Sequence, residues 1–240
     1  MPQWIFRLKG SVRYLEDLPA QFPSTVCHVA FEQGHYNLTS TKLDDITDPH
    51  DALVLVRNML AMMCASVKLR FGFMPKVELG AVMRVEQDGS RSNLVFPEGI
   101  ESGLRVGIPT VGTAASPLPP MTAADMEAAL HDSKIEKVFR ILGFREHTWE
   151  NLSKVLEVIQ SGVGGGVTKA GWASKTELNR FTQTSNSAKA VGDDARHGHQ
   201  KFAPPEKPMS LEEANELVFR VLRQWMAAKH QDKETALSDL

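Results

Sequence analysis

Cysteine, net charge and long apolar runs are all scarce in this chain of 240 residues. Its only cysteines, Cys27 and Cys64, lie in apolar surroundings, where a free cysteine usually behaves as a small hydrophobic residue, which argues against a disulfide scaffold. The formal net charge of -2 argues against a nucleic-acid footprint spread over the whole surface. Any contact with nucleic acid must therefore be local.

The sequence also has little that suggests export or a membrane. Its first residues, MPQWIFRLKG, alternate apolar and polar side chains and do not resemble a signal peptide. The most apolar stretch, residues 52–71, contains Arg57 and Asn58, so no unbroken apolar run approaches the roughly 18 residues that a membrane span requires. We expect a cytoplasmic protein without a membrane partner, and a buried core helix in this stretch.

The patterning of residues 1–109 predicts an α+β domain. One predicted hairpin turns at Asp88-Gly89, and a second turns at Gln33-Gly34, with further strands at residues 4–8 and 103–108. The core helix is expected to begin near Pro49 and to end at Gly72. These elements favour a mostly antiparallel sheet with one buried helix. The apolar residues that alternate with polar ones in the strand before Asp88 are Val77, Leu79, Ala81, Met83 and Val85.

Residues 110–120 are rich in proline and small side chains, which predicts a linker. Beyond it, apolar stripes at helical spacing cover residues 152–159 and 211–225. These features predict an α-helical bundle over residues 121–240, and thus an α+β protein of two domains. Four predicted helix starts carry Ser or Thr followed three residues later by an acid, at Thr122/Asp125, Ser133/Glu136, Ser174/Glu177 and Ser210/Glu213.

Residues 193–199 concentrate the side chains that are capable of chemistry. Arg196 and His197 stand together before Gly198, with two aspartates and a second histidine nearby. The spacing commits these groups to no metal ion, and no second ligand pair occurs elsewhere, so we expect neither a metal nor a cofactor. A helix through this segment would instead make Gly198 its C-terminal cap and give Arg196 and His197 only a capping role. That alternative stays open.

The local charge favours an anionic ligand. Residues 167–207 carry seven Lys and Arg residues and four Asp and Glu residues, a surplus of three positive charges. Such a surplus could hold a phosphate or an RNA backbone, although a solvated surface is the alternative. The residues that we predict to contact phosphate or RNA are Lys189, His199, Lys201 and Arg180.

Three segments together resemble the HEPN superfamily of four-helix-bundle proteins, which occurs in bacterial toxins, defence systems and RNA-cutting enzymes. They are WENLSKVLEVI, the short ARHG, and MSLEEANELVFRVLRQW after a proline-rich loop. The resemblance covers residues 120–230 approximately. It implies a homodimer formed through the bundle, a role in phage defence or toxicity, and a metal-independent ribonuclease in which Arg196 and His197 are the catalytic residues.

The chain departs from the catalytic pattern of this superfamily. In active members four to six residues separate an arginine from the histidine, and at the corresponding positions before His197 this chain has Gly192, Val191 and Ala190. The leading hypothesis is a protein whose bundle binds and cleaves RNA while its N-terminal sheet recognises a partner protein. The alternative is a non-catalytic interaction module that dimerises through the bundle.

Overall fold

The structure, a computed structural model, describes residues 3–72, 75–94, 121–144, 147–196 and 203–238. The chain divides into two compact units, Met1–Phe144 and Arg145–Leu240. The predicted α+β class is confirmed, with a sheet in the first unit and helices in the second. The helices are α1 Val12–Leu15, α2 Leu18–Gln21, α3 Pro49–Phe71, α4 Met121–His131, α5 Ser133–Phe144, α6 Trp149–Gly162, α7 Gly166–Lys169, α8 Lys175–Ser185, α9 Ala188–Val191 and α10 Leu211–Ser238.

The strands of the first unit form one antiparallel sheet in the order β2-β3-β4-β1-β5-β6. Both hairpins turn where the sequence predicts, with positive φ angles at Gln33, Gly34 and Gly89. The strand predicted at 103–108 and the linker predicted at 110–120 lie outside the described residues. The strands are β1 Gln3–Gly10, β2 Pro23–Ser24, β3 Cys27–Glu32, β4 His35–Thr39, β5 Val77–Val85 and β6 Arg91–Leu94.

The core helix α3 begins and ends as predicted. The Asp48 side chain accepts hydrogen bonds from the first amides, proline occupies the first turn, and Gly72 closes the helix at φ 78°. Thirteen of its side chains are buried, so α3 is enclosed on nearly every side. By length and composition alone α3 could cross a membrane, but 72% of its most apolar window is buried inside the protein. A core helix of a water-soluble fold has these properties.

Helices α4 and α5 pack on α3 and belong to the first unit. Arg70 of α3 donates from two nitrogens to the carboxylate of Asp125, which is fully buried on α4, and Ser66 donates to the same carboxylate. Gly143 of α5 lies against Ala61 of α3 so closely that a Cβ would overlap the Ala61 carbonyl oxygen. The domain boundary predicted at residue 120 is therefore wrong, because α3 needs cover that the sheet cannot supply.

Two of the predicted helix starts differ from the structure. Helix α4 already begins at Met121, before Thr122, and Asp125 binds Arg70 of α3. At α5 the side chain of Asp132 accepts from the amides of Lys134 and Ile135, so the cap lies one residue before the predicted Ser133. A capping motif predicts a helix start well, but its acidic residue can instead form an ion pair with a residue that is distant in the sequence.

A β-bulge in β5 shifts the alternation that the sequence predicts. Phe6 of β1 is paired with Val82, but two residues later Leu8 is paired with Leu79. One extra residue of β5 lies between these pairs, and later side chains change face. Strict alternation therefore holds from Val77 to Leu79 and fails beyond it.

The bulge decides which side chains enter the core. Val82, which the alternation places opposite the apolar set, is 2% exposed and faces the helices. Met83 is paired with Ile5 on the other face of the sheet, and Val85 follows it there. The alternation that the sequence predicts therefore does not keep Met83 and Val85 on the same face as Leu79, although Met83 is also buried, at 8% exposure.

The second unit is helical, as predicted. Its described residues form three helices of at least eleven residues, α6, α8 and α10, with the single turns α7 and α9 between them. The predicted stripe at 152–159 is buried, and so is the α10 stripe except at Leu211, which is 41% exposed. The resemblance to a four-helix bundle implies one bundle from about residue 120, whereas α4 and α5 belong to the first unit.

Replacing Arg70 with Met will destabilise the first unit, because Asp125 would stay buried without its cation. We expect the free energy of unfolding to fall by about 3 kcal/mol, measured by urea denaturation of the intact chain. The double variant Arg70→Met with Asp125→Leu removes both charges and should recover most of this loss. If the single and double variants were equally stable, the ion pair would not hold α4 on α3.

Candidate functional site

Helices α8 and α10 both begin with the capping boxes that the sequence predicts. At α8, the Ser174 side chain accepts from the amide of Glu177 and the glutamate accepts from the amide of Ser174. Ser210 and Glu213 make the same reciprocal pair before α10. The starts of both helices are thereby defined by local contacts.

Each of these glutamates also binds an arginine of the other helix. Arg220 of α10 donates to Glu177 at 2.7 Å, and Arg180 of α8 donates to Glu213 at 2.9 Å. The hydrogen bond from the Ser174 amide, followed by that from Arg220, lowers the pKa of Glu177 to about 2. These two ion pairs therefore join the first turn of each helix to the other helix.

Arg180 uses its whole guanidinium to hold the segment before α10. Its Nε donates to the carbonyl of Lys207 at 2.8 Å, and its Nη2 donates to the carbonyl of Pro208 at 3.1 Å. The remaining donors bind Glu213. The prediction that Arg180 binds phosphate or RNA is therefore corrected to a structural role, because its donors are already occupied.

Arg196 lies in a bend and not at a helix end. Helix α9 ends at Val191. The next residue, Gly192, has a φ of 63°, which residues with a side chain rarely adopt. After one 3-10 turn, the backbone N–H of Arg196 donates to the carbonyl of Ser185 at 2.8 Å. The alternative of one continuous helix that Arg196 merely caps does not hold for the described part of the segment.

The side chain of Arg196 binds Glu157 of α6. Its Nη2 lies 2.6 Å from Oε1, and the arginine side chain is 29% exposed. No other described residue accepts a hydrogen bond from this guanidinium, so most of its five N–H donors are left for a ligand. The sequence did not indicate that Glu157 belongs to this site, because acidic residues are common on the polar side of a helix.

Buried polar residues follow one another at the end of α8, next to Arg196. Thr184, Ser185, Asn186 and Ser187 are between 0% and 6% exposed. Within the described ranges, Asn186 Oδ1 and Ser187 Oγ have no hydrogen-bond partner. Since buried polar atoms are normally paired, this end of α8 has unused hydrogen-bonding capacity.

Helix α6 adds a further polar atom on the side that faces α8. Trp149 packs its ring against Phe181 of α8 at a centroid distance of 6.0 Å, and Glu157 binds Arg196 two turns later. Ser153 lies between them on the same face, since residues four apart share a helix face. Its Oγ is buried and has no partner in the described part of the unit. Along this face of α6, an aromatic contact of Trp149 with α8 is thus followed by the buried hydroxyl of Ser153 and then by the ion pair of Glu157 with Arg196.

The other predicted site residues are only partly placed. Lys189 is exposed on α9, and Asp193 and Asp194 are exposed beside it. His197, His199 and Lys201 lie outside the described residues. No set of three or more His, Cys, Asp or Glu residues in the described ranges could hold a metal ion.

Neither cysteine belongs to this site. Burial raises the pKa of the Cys27 and Cys64 thiols to about 12. A thiol with so high a pKa carries almost no thiolate at neutral pH, and the thiolate is the nucleophilic form. Both cysteines therefore serve as core residues, as the sequence predicts.

In comparisons with known proteins, the chain matches no family model, no curated protein and no solved structure. Function therefore has to follow from the chemistry of the side chains. For the second unit, that chemistry centres on Arg196, Glu157 and the polar end of α8.

Replacing Glu177 with Gln will destabilise the second unit in a pH-dependent way. The folded pKa of about 2 lies below the ordinary value of 4.5, so the carboxylate contributes stability that is present above pH 4.5 and is lost as the pH falls toward 2. Because the side chain is partly exposed, we expect a difference of only about 1 kcal/mol near neutral pH. Thermal unfolding of the wild type and the variant across this pH range measures it.

The control for this prediction is Glu150→Gln. Glu150 forms a surface pair with Lys154 one turn along α6 and should be worth at most about 0.5 kcal/mol. A stability difference at Glu177 that did not shrink between pH 4.5 and pH 2 would contradict the assigned role.

Proposed function

We propose that the second unit binds RNA at a surface centred on Arg196 and cleaves the RNA backbone without a metal ion. The observation that carries this proposal is the state of Arg196. Among the described residues, a backbone hydrogen bond and one ion pair hold it at the surface, and most of its N–H donors have no partner. A guanidinium in a defined position suits phosphate, because its planar fork matches two phosphate oxygens.

In this proposal Arg196 holds the phosphate and His197 moves the proton. Imidazole titrates near neutral pH and can take the proton of a ribose 2′-hydroxyl. The freed oxygen then bonds to the adjacent phosphorus, and the bond from phosphorus to the 5′-oxygen breaks, with a proton returned to that leaving oxygen. No oxidant, water or metal is consumed in this step.

Neighbouring cations would bind the flanking phosphates. Lys189 is exposed on α9, and His199 and Lys201 follow His197 in the sequence. Phosphate contacts of this kind make binding weaken with salt. The resemblance to HEPN proteins supports the same activity, and with it a phage-defence or toxin role in the cytoplasm of a bacterium.

Glu157 gives the proposal a distinctive consequence. Its carboxylate shares the guanidinium of Arg196 and repels an incoming phosphate. Glu157→Gln should therefore strengthen RNA binding, whereas Arg196→Lys, which keeps the charge but loses the planar fork, should weaken it. A purely structural ion pair would not produce opposite effects on RNA affinity.

A second candidate is a non-catalytic module that forms a homodimer through the helical unit. The pairing of Arg196 with Glu157, and of Arg180 with Glu213, favours it, because neutralised cations attract phosphate less. The resemblance to HEPN proteins also implies such a dimer. The two candidates differ in whether RNA is cut.

The test is incubation of the intact protein with a mixed RNA pool, with and without EDTA. We expect cutting under both conditions, and we expect His197→Gln to abolish it without changing the melting temperature, because an amide cannot transfer the proton. Lys137→Gln, which removes an exposed cation of the first unit, is the matched control and should cut normally.

Two outcomes would reject the ribonuclease. One is cutting that EDTA abolishes, and the other is unchanged cutting by folded His197→Gln and Arg196→Lys proteins. RNA binding without cutting would shift the function to the second candidate. Sedimentation of the intact chain at high micromolar concentration should then show a dimer, and a folded monomer would reject that candidate as well.

A further inference from the structure

The segment from residue 186 to residue 196 closes on itself, and we call it the Arg196 loop. It leaves α8 after Ser185 and returns when the backbone N–H of Arg196 donates to the Ser185 carbonyl at 2.8 Å. Between these two ends lie α9 and one 3-10 turn. The position of Arg196 beside α8 therefore depends on the path that the chain takes through this loop.

Gly192 has a backbone conformation that only glycine adopts readily. Its angles are φ 63° and ψ -141°, at the junction between α9 and the 3-10 turn. Gly72 and Gly165 also have positive φ, but with ψ of 0° and -1° they lie in the left-handed region, which other residues can enter at a cost. The combination at Gly192 lies outside that region. The Arg196 loop therefore passes through one conformation that is specific to glycine.

The requirement for glycine at this position is conformational and not steric. A Cβ added to Gly192 would meet no atom of the described residues within 4 Å, and the residue is exposed. A side chain there would therefore displace no neighbour, but it would make the present φ and ψ unfavourable. Because the following residues Asp193 and Asp194 are exposed as well, the chain can relieve this strain by taking another path.

A change of path would move Arg196 and leave the start of the loop in place. Ser187 at the start is buried, and its amide donates to the carbonyl of Thr184 in the last turn of α8. Arg196 at the other end is held by the Ser185 carbonyl and by the carboxylate of Glu157. Both of these contacts require the chain to return to the helices after Gly192, so a different path would break them.

We propose that Gly192 is a positioning residue for RNA binding, which acts by holding the guanidinium of Arg196 where it meets a phosphate. This inference rests on the proposed function for its ligand, namely the phosphate of an RNA backbone. A guanidinium binds two phosphate oxygens only in a defined orientation, because its planar fork has to lie in line with them. Gly192 fixes that orientation through the backbone and touches no ligand itself.

The position of Arg196 can be tested without RNA, by hydrogen exchange of single backbone amides in the intact protein, followed by NMR. In Gly192→Ala we expect the Arg196 amide to exchange about 10-fold faster or more, because it loses the Ser185 carbonyl. The Ser187 amide, which precedes Gly192, should keep its wild-type protection and is the internal reference. Gly171→Ala is the matched control, since Gly171 has a φ of 76° and no described atom within 4 Å of an added Cβ, but lies outside the Arg196 loop.

RNA binding then tests whether Gly192 acts through Arg196. The probe is a fluorescent single-stranded RNA with methylated 2′-hydroxyls, which the intact protein can bind but not cut. Gly192→Ala and Arg196→Lys should each weaken binding about 10-fold, and the double variant should bind no more weakly than either single variant. Two independent contributions would instead multiply, so this non-additivity distinguishes positioning of Arg196 from a general loss of structure. Gly171→Ala should bind like the wild type.

D-Alanine in place of Gly192, introduced with a synthetic C-terminal segment, provides an independent reading if Gly192→Ala folds poorly. For a D-residue the angles φ 63° and ψ -141° are favourable, because they mirror the extended angles that an L-residue prefers. This variant carries the same methyl group as Gly192→Ala. It should nevertheless keep wild-type exchange at the Arg196 amide and wild-type affinity for the RNA probe.

The proposal would be overturned by unchanged exchange at Arg196 in Gly192→Ala, by additive losses of RNA affinity, or by a D-alanine variant as weak as Gly192→Ala. If the wild type itself bound no RNA, the proposed function would fail. The exchange rate of the Arg196 amide would still show whether Gly192 positions this residue, so the two proposals fail separately.

Discussion

The first unit depends on one constraint, which is that α3 is apolar on nearly every side and each side must be removed from water. The sheet can cover only one side of such a helix, so α4 and α5 cover others. The buried ion pair between Arg70 and Asp125 secures this arrangement.

The second unit depends more on charge. The reciprocal contacts of Glu177 and Glu213 each complete a helix start and bind an arginine of the other helix, so local and tertiary interactions reinforce each other. These contacts also show that the arginines have different roles. Arg180 and Arg220 hold the helices together, whereas Arg196 forms a single ion pair among the described residues and has N–H donors without a partner there. This difference, and not the number of cations, makes Arg196 the proposed phosphate ligand.

The proposed RNA surface has a physical feature that fits binding, namely buried polar atoms without a hydrogen-bond partner among the described residues. Asn186 Oδ1 and Ser187 Oγ show it beside Arg196. A protein gains stability by pairing such atoms, so their persistence fits a bound partner that completes them. The cysteines show the contrary case, since their burial raises the pKa of each thiol and removes its reactivity.

Local sequence determined the elements that depend on neighbouring residues. The hairpin turns, the two ends of α3 and the capping boxes of α8 and α10 all involve residues within a few positions of each other, so propensity and spacing predict them. Only the tertiary structure decided the β5 bulge, the union of α4 and α5 with α3, and the separate roles of Arg180 and Arg196. The Arg180 and Arg70 contacts join residues 27 and 55 positions apart, and no periodic pattern can encode which distant partner an arginine meets.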